Sequence, residues 1–223
     1  MRVVVTRERG HNAELVSWVP EDASLVEVPL TTTRYFDSDE VHDTLRASRH
    51  FGHFRALVVT SARSALYVAL ARDALAPGGR VLSVGTATAR ALENEDVDVD
   101  VVGDTGAVDL DAAIADGPVL LLGAAAMRDE LATTLVGRGV VVEKLACYET
   151  VPVPLTPDDE IALREAEVVF IGAPSAWFVA SRYLEPQAWV VVPGATTASV
   201  VSRDHERVIV GWDPALRDRL AAL

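Results

Sequence analysis

The sequence predicts an α/β protein made of two similar parallel-sheet domains. Two observations lead there. Short β-branched runs alternate with helix-length segments along the chain, and the second half repeats much of the first. Strands that alternate with helices form parallel sheets covered on both faces. At 223 residues the chain is long enough for two such domains, each with a core of its own.

Taken in order, strand-like runs fall at residues 2–6, 24–29, 56–60, 81–84 and 97–102, then at 119–122, 140–146, 168–171, 189–192 and 207–210. Most are bounded by Gly, Pro or Asp, as strands entering turns should be. Between them, segments such as 87–93 and 127–136 place apolar residues at helical spacing. The polar stretch "TTTRYFDSDE" (31–40) and the proline-bearing "TVPVPLTPDD" (150–159) read as linkers.

Internal similarity groups these elements. "ALVVTSARSALYVAL" (56–70) aligns with "VVFIGAPSAWFVAS" (168–181). These lead respectively into "RVLSVGTATARALEN" (80–94) and "WVVVPGATTASVVS" (189–202). "MRVVVTRERGHNAELVSWV" aligns with "PVLLLGAAAMRDELATTLV" (118–136), and "LVEVPLTTT" (25–33) with "VEKLACYET" (142–150). The chain therefore reads as units A, B, A′ and B′. Periodicity leaves open whether A pairs with B or with B′, although two linkers favour a chain that crosses between domains twice.

Composition narrows the function. The formal net charge is −13, with 33 acidic against 20 basic residues, which argues against nucleic-acid binding driven by neutralised phosphates. No stretch reaches the about 18 apolar residues that span a bilayer. "MRVVVTRERG" carries no signal-peptide pattern, so the expected location is cytoplasmic. A single cysteine, Cys147, leaves no intrachain disulfide and no multi-cysteine zinc site. The single lysine, Lys144, is the one residue on which Schiff-base chemistry would depend.

The repeated strand-to-helix turns are the candidate binding sites. A strand that ends in Gly and passes through Thr into a helix leaves backbone N–H groups pointing outward, where the helix dipole favours an anion. Gly85, Thr86 and Thr88 supply such a turn in B, and Gly194, Thr196 and Thr197 supply it in B′. Comparable turns hold Thr60 and Ser61, Gly172 and Ser175, Thr6 and Arg7, and Gly123. In open α/β sheets ligands collect beyond the carboxyl ends of the strands; if two such domains face each other, these turns would line one cleft. Neither a P-loop nor a G-x-G-x-x-G pattern follows any strand, so carboxylates are as plausible as phosphates. Taken singly, each turn reads as an ordinary tight connection, whereas six comparable turns matched between the repeats favour a binding cleft.

Five short motifs, "VTR" (5–7), "VVTSARSAL" (58–66), "SVGTATARAL" (83–92), "CYET" (147–150) and "PGATTASVV" (193–201), stand in an order and spacing that resemble uroporphyrinogen-III synthase over nearly the whole chain. The resemblance implies two flavodoxin/Rossmann-like domains joined by a two-strand connector, with both chain ends in one domain. Residues 1–33 plus 153–223 would form the first domain and 36–147 the second, with linkers near 31–38 and 148–156. The chain departs from the family in two turns. Where the family often has Arg-Gly it reads "LLGAAAM", keeping Gly123, and where the family often has Ser, Pro and Ser it reads "IGAPSAW".

The resemblance also implies a reaction. Hydroxymethylbilane, a linear tetrapyrrole with eight carboxylates, loses its terminal hydroxyl as water, inverts its last ring and closes to uroporphyrinogen III. No cofactor and no metal are needed, because the pyrrole nitrogens expel the leaving group. Catalysis would rest on positioning and electrostatic stabilisation. The implied state is a monomer with mobile domains that makes transient contact with hydroxymethylbilane synthase. Tyr148 matches the family's Y-x-T tyrosine and either donates a proton to the departing hydroxyl or packs at the hinge. Cys147 beside it is expected on the opposite face as a core thiol. Arg7, Arg63, Arg90 and Arg128 are candidates for the local positive potential that an octa-anion needs on an acidic protein, or else ordinary surface ion pairs. The five histidines are expected in loops and on helix surfaces, and the acidic stretch 93–100 in a solvated turn. A second reading is a non-catalytic two-domain cleft protein binding a small carboxylate or phosphate ligand.

Overall fold

The computed structural model describes residues 1–103, 107–114, 116–213 and 215–223. The strands are β1 (Arg2–Val5), β2 (Ser24–Glu27), β3 (Thr31–Tyr35), β4 (Phe54–Val59), β5 (Leu75–Val84), β6 (Val101–Gly103), β7 (Val119–Ala124), β8 (Val142–Pro152), β9 (Val168–Phe170), β10 (Trp189–Val192) and β11 (Val208–Val210). The helices are α1 (Ala13–Val16), α2 (Ser38–Arg46), α3 (Val68–Arg72), α4 (Thr86–Glu93), α5 (Glu130–Gly137), α6 (Pro157–Arg164), α7 (Pro174–Ala180), α8 (Ala195–Val201) and α9 (Leu216–Ala221). A 3-10 turn over Ala62–Tyr67 leads into α3. Among the described residues no helix is long and apolar enough to cross a membrane.

Two compact units form. The first joins Met1–Thr32 to Thr150–Leu223, and the second is Thr33–Glu149. The first holds a sheet of order β11-β10-β9-β1-β2 and the second a sheet of order β3-β8-β7-β4-β5-β6. Read outward from β2, the first sheet follows the flavodoxin-like order 2-1-3-4-5; read outward from β8, the second is a circular permutation of it, in which β7 and β8 take the places of β1 and β2 but come last in the chain. The first sheet is parallel throughout, as are the β8-β7-β4-β5-β6 pairings of the second. The internal repeat thus has a structural meaning: A completes B′, and A′ completes B. The pairing that periodicity left open is fixed by β1, which lies between β2 and β9.

The strands read as continuous apolar runs because both faces are covered. In β1, Val3 and Val5 enter one core with Leu15, Phe170 and Leu216, while Val4 enters the other with Val169, Val190 and Trp177. In β4, Leu57 and Val59 face one layer, and Ala56 and Val58 face the opposite one with Leu121 and Leu131. Helix entries are set by local chemistry. Asp37 caps α2 by accepting from the N–H groups of Asp39 and Glu40, at 2.8 and 3.3 Å. At α6, Thr156 and Asp159 form a reciprocal capping box ahead of Pro157.

Three expectations, on residues 93–102 and His205, are corrected, and one on residues 31–40 gains detail. The stretch 31–40, expected as a linker, holds the division between the units at Thr32 and Thr33 and is built as strand β3 followed by the first turn of α2. As the outermost strand of its sheet, β3 needs no apolar run, and its Arg34 pairs with Glu149 of β8. Of the run 97–102 only Val101 and Val102 enter a strand: Val97 packs into the core, and the Asp100 carboxylate accepts from Val81 N–H at 2.7 Å, so the acidic stretch is not simply solvated. His205 is buried, its Nε2 lying 2.8 Å from the Ala188 carbonyl and its ring edge-on to Trp177.

Candidate functional site

In sheets of this order the ligand position is the carboxyl end of the two strands between which the order reverses. These are β1 and β9 in the first unit, and β7 and β4 in the second. A threonine staples each pair. Thr6, just past β1, donates its hydroxyl to the Phe170 carbonyl of β9 at 2.6 Å and is 2 % exposed. Thr60, just past β4, donates its hydroxyl to the Leu122 carbonyl of β7 at 3.1 Å. Both hydroxyls therefore close their own sheet. Gly123 sits beside the second staple, where a Cβ would fall 2.1 Å from Thr60 Oγ1 and 2.8 Å from Met127 Sδ.

The turn that recurs in B and B′ differs from the expected form. Glycine, not threonine, occupies the N-cap of both helices, and neither helix start carries a side-chain cap. Gly85 has φ 80°, a left-handed conformation that favours glycine, whereas Gly194 has φ −174°, extended backbone open to any residue. Thr86 and Thr196 are exposed in the first turn, while Thr88 and Thr197 face inward and are buried. First-turn N–H groups of α4 and α8 thus remain uncovered by capping side chains, as an anion-binding turn requires. Ser61 does cap: its hydroxyl accepts from Arg63 N–H at 3.3 Å, opening the 3-10 turn. Ser175 lies in the first turn of α7, two residues past the N-cap Ala173.

Of the candidate arginines, Arg63, Arg90 and Arg128 are exposed. Arg7 is half-buried, with its guanidinium 4.5 Å from the ring centre of Trp212 and looser contacts to Glu14 (3.6 Å) and the His11 carbonyl (3.5 Å). Trp212 escaped the sequence reading, although an aromatic in "VIVGWDP", just past a strand and a glycine, stands at a strand's carboxyl end. Lys144 pairs with Asp129. His50 bonds Glu143 at 2.5 Å; burial pushes the Glu143 carboxyl up, but the bonds from His50 and Ser48 outweigh it and hold the group below its ordinary range.

Tyr148 lies in β8, level with Ala124 at the carboxyl end of β7. It is 6 % exposed, and its ring is 6.2 Å from that of Tyr35. The expectation that Cys147 faces the other way is corrected. Gly123 pairs with Ala146 but Ala124 with Tyr148, so β8 spends an extra residue here. Such a bulge breaks the alternation, and Cys147 and Tyr148 enter the same core layer. Cys147 is a core thiol, fully buried, 3.4 Å from the Gly123 carbonyl, with its thiol pushed up by burial. Tyr67, which the sequence reading also passed over, donates its phenol to the Phe36 carbonyl at 2.5 Å; burial, then the neighbouring Cys147, push it above the usual tyrosine range.

The structure thus gathers Thr60, Gly123 and Tyr148 at one sheet end in the second unit, and Thr6 and Arg7 at the equivalent end in the first. Comparison with solved structures gives the same architecture. The chain is similar to a mutant uroporphyrinogen III synthase from the extremely thermophilic bacterium Thermus thermophilus, with a TM-score of 0.64 and 17 % identity over 100 % of this chain and 96 % of that one. It is likewise similar to uroporphyrinogen-III synthetase from Helicobacter pylori, with a TM-score of 0.65 and 19 % identity over 100 % of this chain and 99 % of that one. At these identities the likeness carries the fold. A comparison with curated protein sequences yields no match. The family model described as uroporphyrinogen-III synthase HemD matches residues 21–210. That match takes in both units and every motif except the one at Thr6 and Arg7, and by it the chain belongs to the uroporphyrinogen-III synthase family.

Proposed function

We propose that the chain cyclises hydroxymethylbilane to uroporphyrinogen III with loss of water and inversion of the last ring, needing no cofactor. The family match over residues 21–210 carries this reading and does not favour the non-catalytic binding protein. The chemistry asks the protein for two things: grips for many carboxylates, and control over which carbon of the last ring attacks. Uncapped helix starts at Gly85 and Gly194, with the exposed first-turn residues Thr86 and Thr196, suit the first. Ser175, Arg7 and Arg63 extend the set. Thr6, Thr60, Ser61 and Gly123 act by shaping the strand ends, since their hydroxyls or space are taken internally. Thr88 and Thr197, buried in α4 and α8, set the seating of those helices.

Tyr148 is the proposed proton donor to the departing hydroxyl. Its level beside the end of β7 supports the role, because that is the edge at which ligands gather. The enzyme works as a cytoplasmic monomer and takes its substrate through transient contact with hydroxymethylbilane synthase.

The test is to supply fresh hydroxymethylbilane and separate the uroporphyrin isomers after oxidation. Predominance of isomer III supports the reading. Isomer I alone, from folded protein at high concentration, overturns it. In the same assay Tyr148→Phe should lower kcat about tenfold or more if the phenol donates a proton; an unchanged kcat would reduce Tyr148 to packing.

A further inference from the structure

We propose that Trp212 is the positioning residue for Arg7, holding its guanidinium at the carboxyl end of β1 as a grip for a substrate carboxylate. The proposal rests on the substrate reading above and adds a residue that the sequence motifs do not contain.

Trp212 follows β11, the outermost strand, with β10 and β9 between it and β1. Its ring nevertheless lies against Phe170 of β9, at 6.1 Å and 54°, and under the Arg7 guanidinium at 4.5 Å. Three features bring it back across the sheet. Gly211 turns the chain at φ 102°, a conformation that suits glycine. Arg219 fixes the segment by donating to the carbonyls of Val210 and Gly211, at 3.2 and 3.3 Å, and to the Asp213 carboxylate at 3.1 Å. Gly172 leaves the space: a Cβ there would come within 3.3 Å of Trp212 Cη2 and 3.9 Å of Arg7 Cγ and Nε.

The indole N–H is buried and finds no partner among the described residues. A buried unpaired donor costs stability, and an aliphatic side chain would fill the position without that cost. What the indole offers in exchange is the face of its ring. An arginine stacked on an aromatic face keeps its N–H edge free for a carboxylate, and it loses less freedom on binding because it is already oriented. The remaining contacts of Arg7 are long enough to yield: Glu14 stands at 3.6 Å with its carboxylate largely exposed. The stacked pair stands at the β1–β9 reversal point, where the fold places ligands.

Steady-state kinetics with hydroxymethylbilane on Arg7→Gln, Trp212→Leu, Trp212→Phe and the corresponding double variants tests the pair. Arg7→Gln should raise KM about tenfold with kcat nearly unchanged, as loss of a charge-assisted bond to a non-reacting carboxylate would do. Trp212→Leu should raise KM about two- to fivefold, and Trp212→Phe less, since phenylalanine holds a cation more weakly. In the Arg7→Gln background either tryptophan substitution should add nothing further. Equal effects in both backgrounds, or an unchanged KM in a folded Trp212→Leu protein, would overturn the proposal. Should the leucine variant fail to fold, the phenylalanine cycle decides alone. An unchanged KM in Arg7→Gln removes the carboxylate grip and this proposal with it, while production of isomer III by the unaltered protein keeps the activity standing.

Discussion

At the residue scale, the neighbourhood of Gly123 shows how closely the strand ends are fitted. Gly123→Ala would drive a methyl into the Thr60 hydroxyl and the Met127 thioether, and overpacking of this kind costs about 1–3 kcal/mol. Chemical denaturation should show that loss, and pairing the change with Thr60→Ser should recover none of it, because the serine hydroxyl can keep the same bond. A second residue-scale prediction concerns acid. The His50 bond holds the Glu143 carboxyl below its unfolded value, so the unfolded chain takes up this proton first as pH falls. The contribution is fully present above the unfolded glutamate pKa of about 4.3 and fades as pH drops through the folded value. Melting temperatures of Glu143→Gln and the unaltered protein should therefore differ above the unfolded glutamate value and draw together as pH falls through the lower folded value. A gap that stayed constant across that range would mean the carboxylate charge is not involved.

At the element scale, the recurrent turn is the same in topology but not in backbone. Gly85→Ala forces an L side chain to φ 80° and should cost about 1–2 kcal/mol. Gly194→Ala meets open space on extended backbone and should be neutral or stabilising by up to about 1 kcal/mol. Equal losses at the two positions would show that the helix starts, not the glycine conformations, set the requirement. This asymmetry was invisible in the sequence, where the two copies look alike. What could be read there was whatever the sheets bury on both faces: Val3–Val5, Val58–Val59 and Val190–Val192 are unbroken apolar runs for that reason. The edge strand β3 could not be read, since it lies at the end of its sheet and each of its residues is exposed or intermediate. The bulge at Cys147 and Tyr148 was hidden too, because a two-residue alternation rule has no place for an extra residue. For the candidate site, the motif positions were legible as strand ends, whereas the spending of Thr6, Thr60 and Ser61 on internal bonds depends on partners 164, 62 and 2 residues away. Trp212 reaches Arg7 only through the three-dimensional course of the sheet.

At the scale of the whole molecule, the second unit is continuous in sequence and the first is not. A fragment of residues 33–149 contains both of its core layers and should unfold cooperatively by itself. A fragment of residues 150–223 lacks β1 and β2 and with them Val3, Val4 and Val5, so it should show no cooperative transition until residues 1–32 are supplied as a peptide. Cooperative melting of 150–223 alone, followed by calorimetry, would show that β1 is dispensable. The placement of β1 has one more consequence, felt while the chain is being made. The ribosome releases β1 first, yet its partner β9 follows more than a hundred residues later, a wait on the order of ten seconds at ordinary elongation rates. During that interval the second unit can complete itself, while Val3–Val5 must travel beside it with an unpaired apolar edge. Nascent chains of this protein should therefore engage chaperones through the β1 segment, and let them go only when β9, which shares its sheet, has left the exit tunnel.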